Sequence, residues 1–135
     1  MRRIVLDTNV LVSALLSVNG NEALVLRLAF SGAFEIGVSV AILNEYREVL
    51  ERPRFKIAIW KIAALFSQLE TQAKLVHPAR TVSESPDEPD NRFLECAETI
   101  GAEFLITGNK RHFRKTWKGT KIVNAREFLE QVVPL

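Results

Sequence analysis

Short apolar runs, too brief to be helices, alternate along this chain with longer amphipathic ones. That alternation restricts it to an α/β fold built on a mostly parallel sheet. Strands are expected at residues 3–6, 34–38, 74–76, 103–106 and 121–123. Helical spacing of apolar residues occurs at about 9–17, 21–31, 40–51, 56–72, 90–100 and 110–116, with a last helix at 125–132. Ser39 and Asn124 stand where they can cap the helices that follow them. The stretch 78–89 carries three prolines and reads as a loop. At 135 residues, with no repeat or linker, the expectation is one domain over residues 1–135.

Composition narrows the class. Apolar residues make up 47% of the chain and charged residues 25%, ordinary for a globular protein and against extended disorder. The formal net charge of +2 names no partner, but the charges are not evenly spread. Glu84, Asp87, Glu88 and Asp90 form an acidic cluster, and Lys110, Arg111, Arg114, Lys115, Lys118 and Lys121 a basic strip. These are either two solvated faces or a cation site beside an anion-binding surface. The single cysteine, Cys96, excludes an internal disulfide and fits a reducing compartment. No apolar run reaches the roughly 18 residues of a membrane span. Asp7-Thr8-Asn9 splits the only segment resembling a secretory signal, so a cytoplasmic protein is expected.

The helix at 56–72 has two apolar edges, Ile59, Ile62, Leu65, Phe66 and Leu69 on one and Ile57, Trp60 and Ala64 on the other. A helix apolar on two sides is commonly buried twice, once by its own core and once by something else. The Trp60 edge is therefore a candidate homodimer surface, unless a neighbouring helix of the same chain covers it.

Three acids fall where a core would exclude them. Asp7 follows the first strand directly, and ligands of parallel sheets bind beyond the strands' carboxyl ends; it could equally cap the next helix. Glu45 lies on the margin of the apolar stripe formed by Ile42, Leu43, Tyr46, Val49 and Leu50. Asp90 projects between Leu94 and Ala97, in the middle of an apolar helix face. Asp87 can cap that helix, which leaves Asp90 free for another task. Asn109 emerges beyond the strand at 103–106, close to Asp7 if the two strands are neighbours. Should Asp7, Glu45 and Asp90 converge, each pair at about 4 Å repels by about 4 kcal/mol at an effective dielectric near 20. Such a cluster must take up protons or bind a cation, and oxygen ligands suit Mg²⁺ or Mn²⁺.

The segment Ile4-Val5-Leu6-Asp7-Thr8-Asn9-Val10-Leu11-Val12-Ser13-Ala14 resembles the opening motif of PIN-domain ribonucleases. Residues 39–50, centred on Glu45, resemble the second motif of that family. Asp87-Glu88-Pro89-Asp90-Asn91-Arg92-Phe93-Leu94 resembles the third, and Leu105-Ile106-Thr107-Gly108-Asn109-Lys110 the fourth. The likeness is greatest to the VapC-like toxin components of toxin–antitoxin pairs. It implies a PIN-like three-layer fold, a five-stranded mostly parallel sheet flanked by helices, with the first and fourth strands adjacent. It also implies Mg²⁺- or Mn²⁺-dependent RNA cleavage and a small antitoxin protein as partner. Carried over, Asp7 and Asp90 would be direct metal ligands, and Glu45 would bind metal directly or through water and orient the attacking water. Thr8 and Thr107 would fix the carboxylates, and Asn9 would support the turn. Asn109 stands where the family commonly has aspartate, so it is a weaker ligand and any second metal would lean on the substrate phosphate. Lys110, Arg111, Arg114, Lys115 and Lys118 would grip RNA phosphates, with Phe113 and Trp117 as core anchors.

Two other classes remain. A phosphatase using Asp7 as nucleophile needs a second acid two residues later, where this chain has Asn9. A non-catalytic module of the same fold would bind RNA or protein without cleaving it.

Overall fold

The computed structural model describes residues 1–134. Strands β1 (Arg2–Leu6), β2 (Phe34–Val38), β3 (Lys74–Leu75), β4 (Phe104–Ile106), β5 (Thr116–Trp117) and β6 (Thr120–Val123) form one sheet in the order β3-β2-β1-β4-β6-β5. All neighbouring pairs run parallel except β5 and β6. Ile4, Val5 and Leu6 are each fully buried, as a parallel strand covered on both faces requires. Because β1, β2, β4 and β6 point the same way, the residues that follow them (Asp7, Ser39, Thr107 and Asn124) gather along one rim.

Six helices cover the sheet: α1 (Thr8–Leu16), α2 (Asn21–Ala29), α3 (Val40–Leu50), α4 (Ile59–Gln72), α5 (Glu88–Ile100) and α6 (Ala125–Val132). Helix α5 packs across β1, β2 and β4. A Cβ on Gly37 would lie only 2.9 Å from Ile100 Cδ1, so α5 can settle this low because β2 has no side chain there. Buried Cys96 packs into the same contact, and burial pushes its thiol up to about 12, as befits a small core residue. On the opposite face, α6 inserts Phe128 between Phe34 of β2 and Phe104 of β4, with ring centroids 5.4 and 5.3 Å apart. That helix begins with a capping box: Glu127 N–H donates to Asn124 Oδ1 and Asn124 N–H donates to Glu127 Oε1. Ser39 Oγ likewise accepts from Ile42 N–H at the start of α3. Buried Tyr46 of α3 donates its hydroxyl to the carbonyl of Leu6, 2.5 Å away, and this fixes α3 beside the end of β1.

Three expectations are corrected. No α-helix forms at 110–116; Lys110–His112 makes one 3₁₀ turn, and β5 follows. Four cations in that segment explain the difference. Lys110 with Arg114, and Arg111 with Lys115, would repel at i,i+4 spacing in a helix. Instead Lys118 and Gly119, at φ 50° and 87°, form a tight reversal between β5 and β6, so the sheet has six strands rather than five. Second, α4 starts at Ile59 rather than 56, after a 3₁₀ turn at Pro53–Phe55. Its buried stripe is Ile62, Leu65 and Leu69; Ile59, the first residue of the helix, is 85% exposed, and Phe66 is half-buried under the Arg47 guanidinium. Trp60 is 70% exposed, so no helix of the same chain covers it. Third, the proline-bearing loop ends at Asp87, because Pro89 falls in the first turn of α5, where its missing N–H costs nothing. Among the described residues no single helix is long and apolar enough to cross a membrane.

Candidate active site

The site is built at the carboxyl rim of the two central strands. Asp7 N–H donates to the carbonyl of Ile106 (2.9 Å), continuing the β1–β4 pairing by one residue and holding Asp7 beside Thr107. One carboxylate oxygen, Oδ1, accepts from Thr8 N–H at 2.7 Å, so Asp7 also serves as the N-cap of α1. The other, Oδ2, accepts from the Thr107 hydroxyl at 2.7 Å and more weakly from Asn9 Nδ2 at 3.4 Å. Asn9 is clamped in turn by the N–H of Gly108, which donates to its Oδ1 at 2.9 Å. Asp7 is almost wholly buried, and its carboxyl is pushed up to about 6. Burial is the largest cause; the Thr107 hydroxyl opposes it, and the negative charge of Asp90 adds to it.

Glu45 is half-buried at the edge of α3, where its Oε2 accepts from the Thr8 hydroxyl. Burial raises its affinity for a proton, and the charges of Asp7, Asp87 and Glu48 raise it further. Thr8 therefore joins Asp7 and Glu45 through its own N–H and O–H. Asp90, in the first turn of α5, is buried and also raised, first by burial and then by the charge of Asp87. Asp7, Glu45 and Asp90 thus stand close enough to feel one another's charge, although they are separated widely in sequence. Asn109 differs from them. It is exposed, and its tie to the site is a backbone N–H donated to Thr107 Oγ1 at 3.0 Å.

Ser85, Asn91 and His112 are not singled out from sequence as site residues, and Asp87 reads there only as a helix cap and part of an acidic cluster. Asp87 occupies the N-cap position of α5, but its side chain makes no capping hydrogen bond; it lies 3.8 Å from His112 Nδ1. His112 Nδ1 is 3.2 Å from Asp90 Oδ2. Asp87, Asp90 and His112 each bring one donor atom within 4.8 Å of the others. Fully buried Asn91 accepts from Ser85 N–H (2.7 Å) and donates to the Ser85 carbonyl (3.1 Å), pinning the preceding loop to α5. Ser85 Oγ in turn reaches the carbonyl of His112 at 3.1 Å and Asp90 Oδ2 at 3.4 Å. The available signal was spacing: Asp87 precedes Asp90 by one helical turn, and Asn91 follows Asp87 by another.

The basic strip is partly occupied by the protein itself. Lys110 pairs with Glu127 at 2.7 Å, Arg114 pairs with Glu84, and Lys118 lies 5.5 Å from the Trp117 ring centre. Arg111 and Lys115 are exposed and have no ion pair among the described residues. Phe113 and Trp117 are partly buried against the core. A cleft of about 200 Å³ opens along the strip, lined by Glu84, Ser85, Arg111, His112, Arg114 and Trp117, among others; Asp7, Glu45 and Asp90 do not line it.

A donor set of carboxylates with neighbouring hydroxyl and imidazole groups suits a divalent cation, because the raised proton affinities of Asp7, Glu45 and Asp90 mark negative charge in need of neutralisation. The chain is 31% identical over 114 residues to an uncharacterized protein of Methanocaldococcus jannaschii, an alignment covering 80% of this chain and 71% of that relative. A model of the PIN domain matches residues 3–111, from β1 through the three acid-bearing segments and the Asn109 segment into the 3₁₀ turn. PIN domains are generally nucleases that act on nucleic acid with divalent metals, and this chain belongs to the PIN-domain family.

Proposed function

We propose that residues 1–135 form one PIN-like nuclease domain, an endoribonuclease that hydrolyses RNA phosphodiester bonds with Mg²⁺ or Mn²⁺. The observation that carries this reading is Asp7: a buried carboxylate raised to about 6 with the charge of Asp90 adding to the rise. Retaining that arrangement is costly unless a cation occupies it. Asp7 and Asp90 are the direct ligands in this reading, with Glu45 direct or through water and Asn109 a weaker contributor. A divalent cation bound there supplies positive charge and Lewis acidity for phosphodiester hydrolysis. Thr107 and Thr8 aim the Asp7 carboxylate, and Thr8 holds one oxygen of Glu45 while the other orients the attacking water. The products are a 5′-phosphate and a 3′-hydroxyl. Incubating the full chain with single-stranded RNA is expected to give Mn²⁺-dependent cuts that EDTA abolishes and excess Mn²⁺ restores. Cleavage indifferent to EDTA, or absent with both metals, would refute the proposal.

Substrate grip falls to Arg111 and Lys115, exposed strip cations with neither an ion pair nor a ring contact among the described residues, with Lys110, Arg114 and Lys118 in supporting positions. Lys115→Ala should weaken RNA binding and lower the slope of log affinity against log salt by roughly one. A fluorescence-anisotropy titration at several salt concentrations measures this, and an unchanged slope would remove Lys115 from the interface.

The proposal extends to a cytoplasmic toxin with a small antitoxin partner, supported by the VapC-like character of the motifs. It also includes self-association through the Trp60 edge of α4, supported by the exposure of Trp60 and by the apolar groove it shares with Leu15, Val18, Leu26 and Ala64. Trp60→Glu is expected to lower the weight-average mass in sedimentation at micromolar concentration. An identical mass for variant and parent would rule that surface out.

A further inference from the structure

We infer that His112 is a nitrogen ligand of the site cation and biases the site toward Mn²⁺ over Mg²⁺. This rests on the metal-dependent reading above and assigns to it a residue that the four motifs do not include. Three observations point the same way. First, His112 Nδ1 is closed off from solvent and faces Asp90 Oδ2 at 3.2 Å, while the side chain as a whole is a third exposed. In the metal-free protein this nitrogen can donate its proton to Asp90; in the tautomer protonated at Nε2 it offers its lone pair to a cation shared with that carboxylate. Second, the spacing fits. Two ligands at right angles around an ion with bonds of about 2.1 Å lie about 3 Å apart. The 3.2 Å between Nδ1 and Asp90 Oδ2 is near that value, and Asp87 Oδ2 stands 3.8 Å from the same nitrogen.

Third, the backbone of His112 is tied to the loop that packs on the Asp90 helix. The 3₁₀ turn closes with His112 N–H donating to the Asn109 carbonyl at 2.9 Å, and the Ser85 hydroxyl donates to the His112 carbonyl at 3.1 Å. Ser85 is itself fixed by Asn91 of α5, the helix that carries Asp90. His112 and Asp90 are therefore positioned by one network. Imidazole contributes more to first-row transition ions than to Mg²⁺, which prefers oxygen and its own waters. The consequence is metal preference: the acids alone accept either ion, and the added nitrogen favours Mn²⁺.

The test uses tag-free, metal-free full-length protein loaded with Mn²⁺ alone. The chain has only two histidines, so a coordinated imidazole is readily assigned. Pulsed electron paramagnetic resonance of bound Mn²⁺ should show ¹⁴N coupling in the parent and in His77→Ala, and lose it in both His112→Ala and His112→Gln. Calorimetric titration should show Mn²⁺ affinity falling by about tenfold or more in the His112 variants, with Mg²⁺ affinity, from competition, changing much less. Matched thermal melts of the metal-free proteins keep unfolding from imitating the loss. Mn²⁺ bound without ¹⁴N coupling in the parent, or coupling retained in the His112 variants, would overturn the inference while leaving the acid site standing. Failure of the parent to bind Mn²⁺ any better than Asp7→Asn would overturn the metal-dependent reading itself.

Discussion

Asp7→Asn is expected to abolish metal-dependent cleavage and, in EDTA at pH 8, to yield a protein more stable than its parent. The loss of activity should be on the order of 10³ or more, since the substitution removes a charge from the cation site and from the developing charge of the reaction. The gain in stability follows from linkage. Asp7 in the folded chain titrates at about 6, against 3.8 for an unhindered aspartate. The folded state therefore binds this proton more tightly than the unfolded state does. Below about pH 3.8 the group makes no difference; as pH climbs through 6 its ionisation destabilises the fold, by roughly 3 kcal/mol at most. Asparagine escapes that loss but keeps only one acceptor oxygen for the Thr8 N–H and the Thr107 hydroxyl, which returns about 1–2 kcal/mol. The net expectation is a gain of about 1–2 kcal/mol at pH 8 that disappears or reverses by pH 4.5. Urea denaturation at the two pH values reads it directly. An equal destabilisation at both would mean that Asp7 is only a helix cap and that the acids do not crowd one another.

Phe128→Ala should have the opposite profile, with a large stability loss and intact chemistry in whatever protein remains folded. Phe128 is fully buried, edge-on to Phe104 and tilted against Phe34. Truncating an enclosed aromatic ring costs about 3–5 kcal/mol through lost transfer energy and the cavity left behind. Phe34 and Phe104 are the first residues of β2 and β4, so this cluster lies at the amino ends of the strands, across the sheet's length from the acids. Cleavage per folded molecule should therefore survive at low temperature. Denaturation midpoints combined with rates at about 10 °C separate the two quantities. A variant that is stable but inactive would show that α6 shapes the site, contrary to this expectation.

The acids were legible because each breaks a pattern. Asp7 interrupts two apolar stretches, Asp90 occupies the middle of an apolar helix face, and Glu45 sits at the margin of another. Alternation of runs gives a parallel sheet but not its strand order; the adjacency of the first and fourth strands is implied by the likeness to PIN-domain ribonucleases. The region from Asp87 to Gly119 was harder to read, since its structure is set by contacts distant in sequence. Asp87 has the composition of a cap, and only the position of His112 gives it another neighbour. The segment 110–116 has apolar residues at helical intervals, yet its like charges and the Lys118-Gly119 pair favour a short turn and a hairpin. Ile59 has helical spacing too, but it falls in the first turn of α4, beyond the reach of the core. Periodicity identifies a face; it does not say how far along a helix the core extends.

The sheet's two outermost strands, β3 and β5, are each two residues long. Neither margin presents enough open main chain to template a further strand, so the molecule is protected from the fibrous stacking that a long bare border invites. An assembly made side chain to side chain across the helical shell suits such borders better than one that extends the sheet.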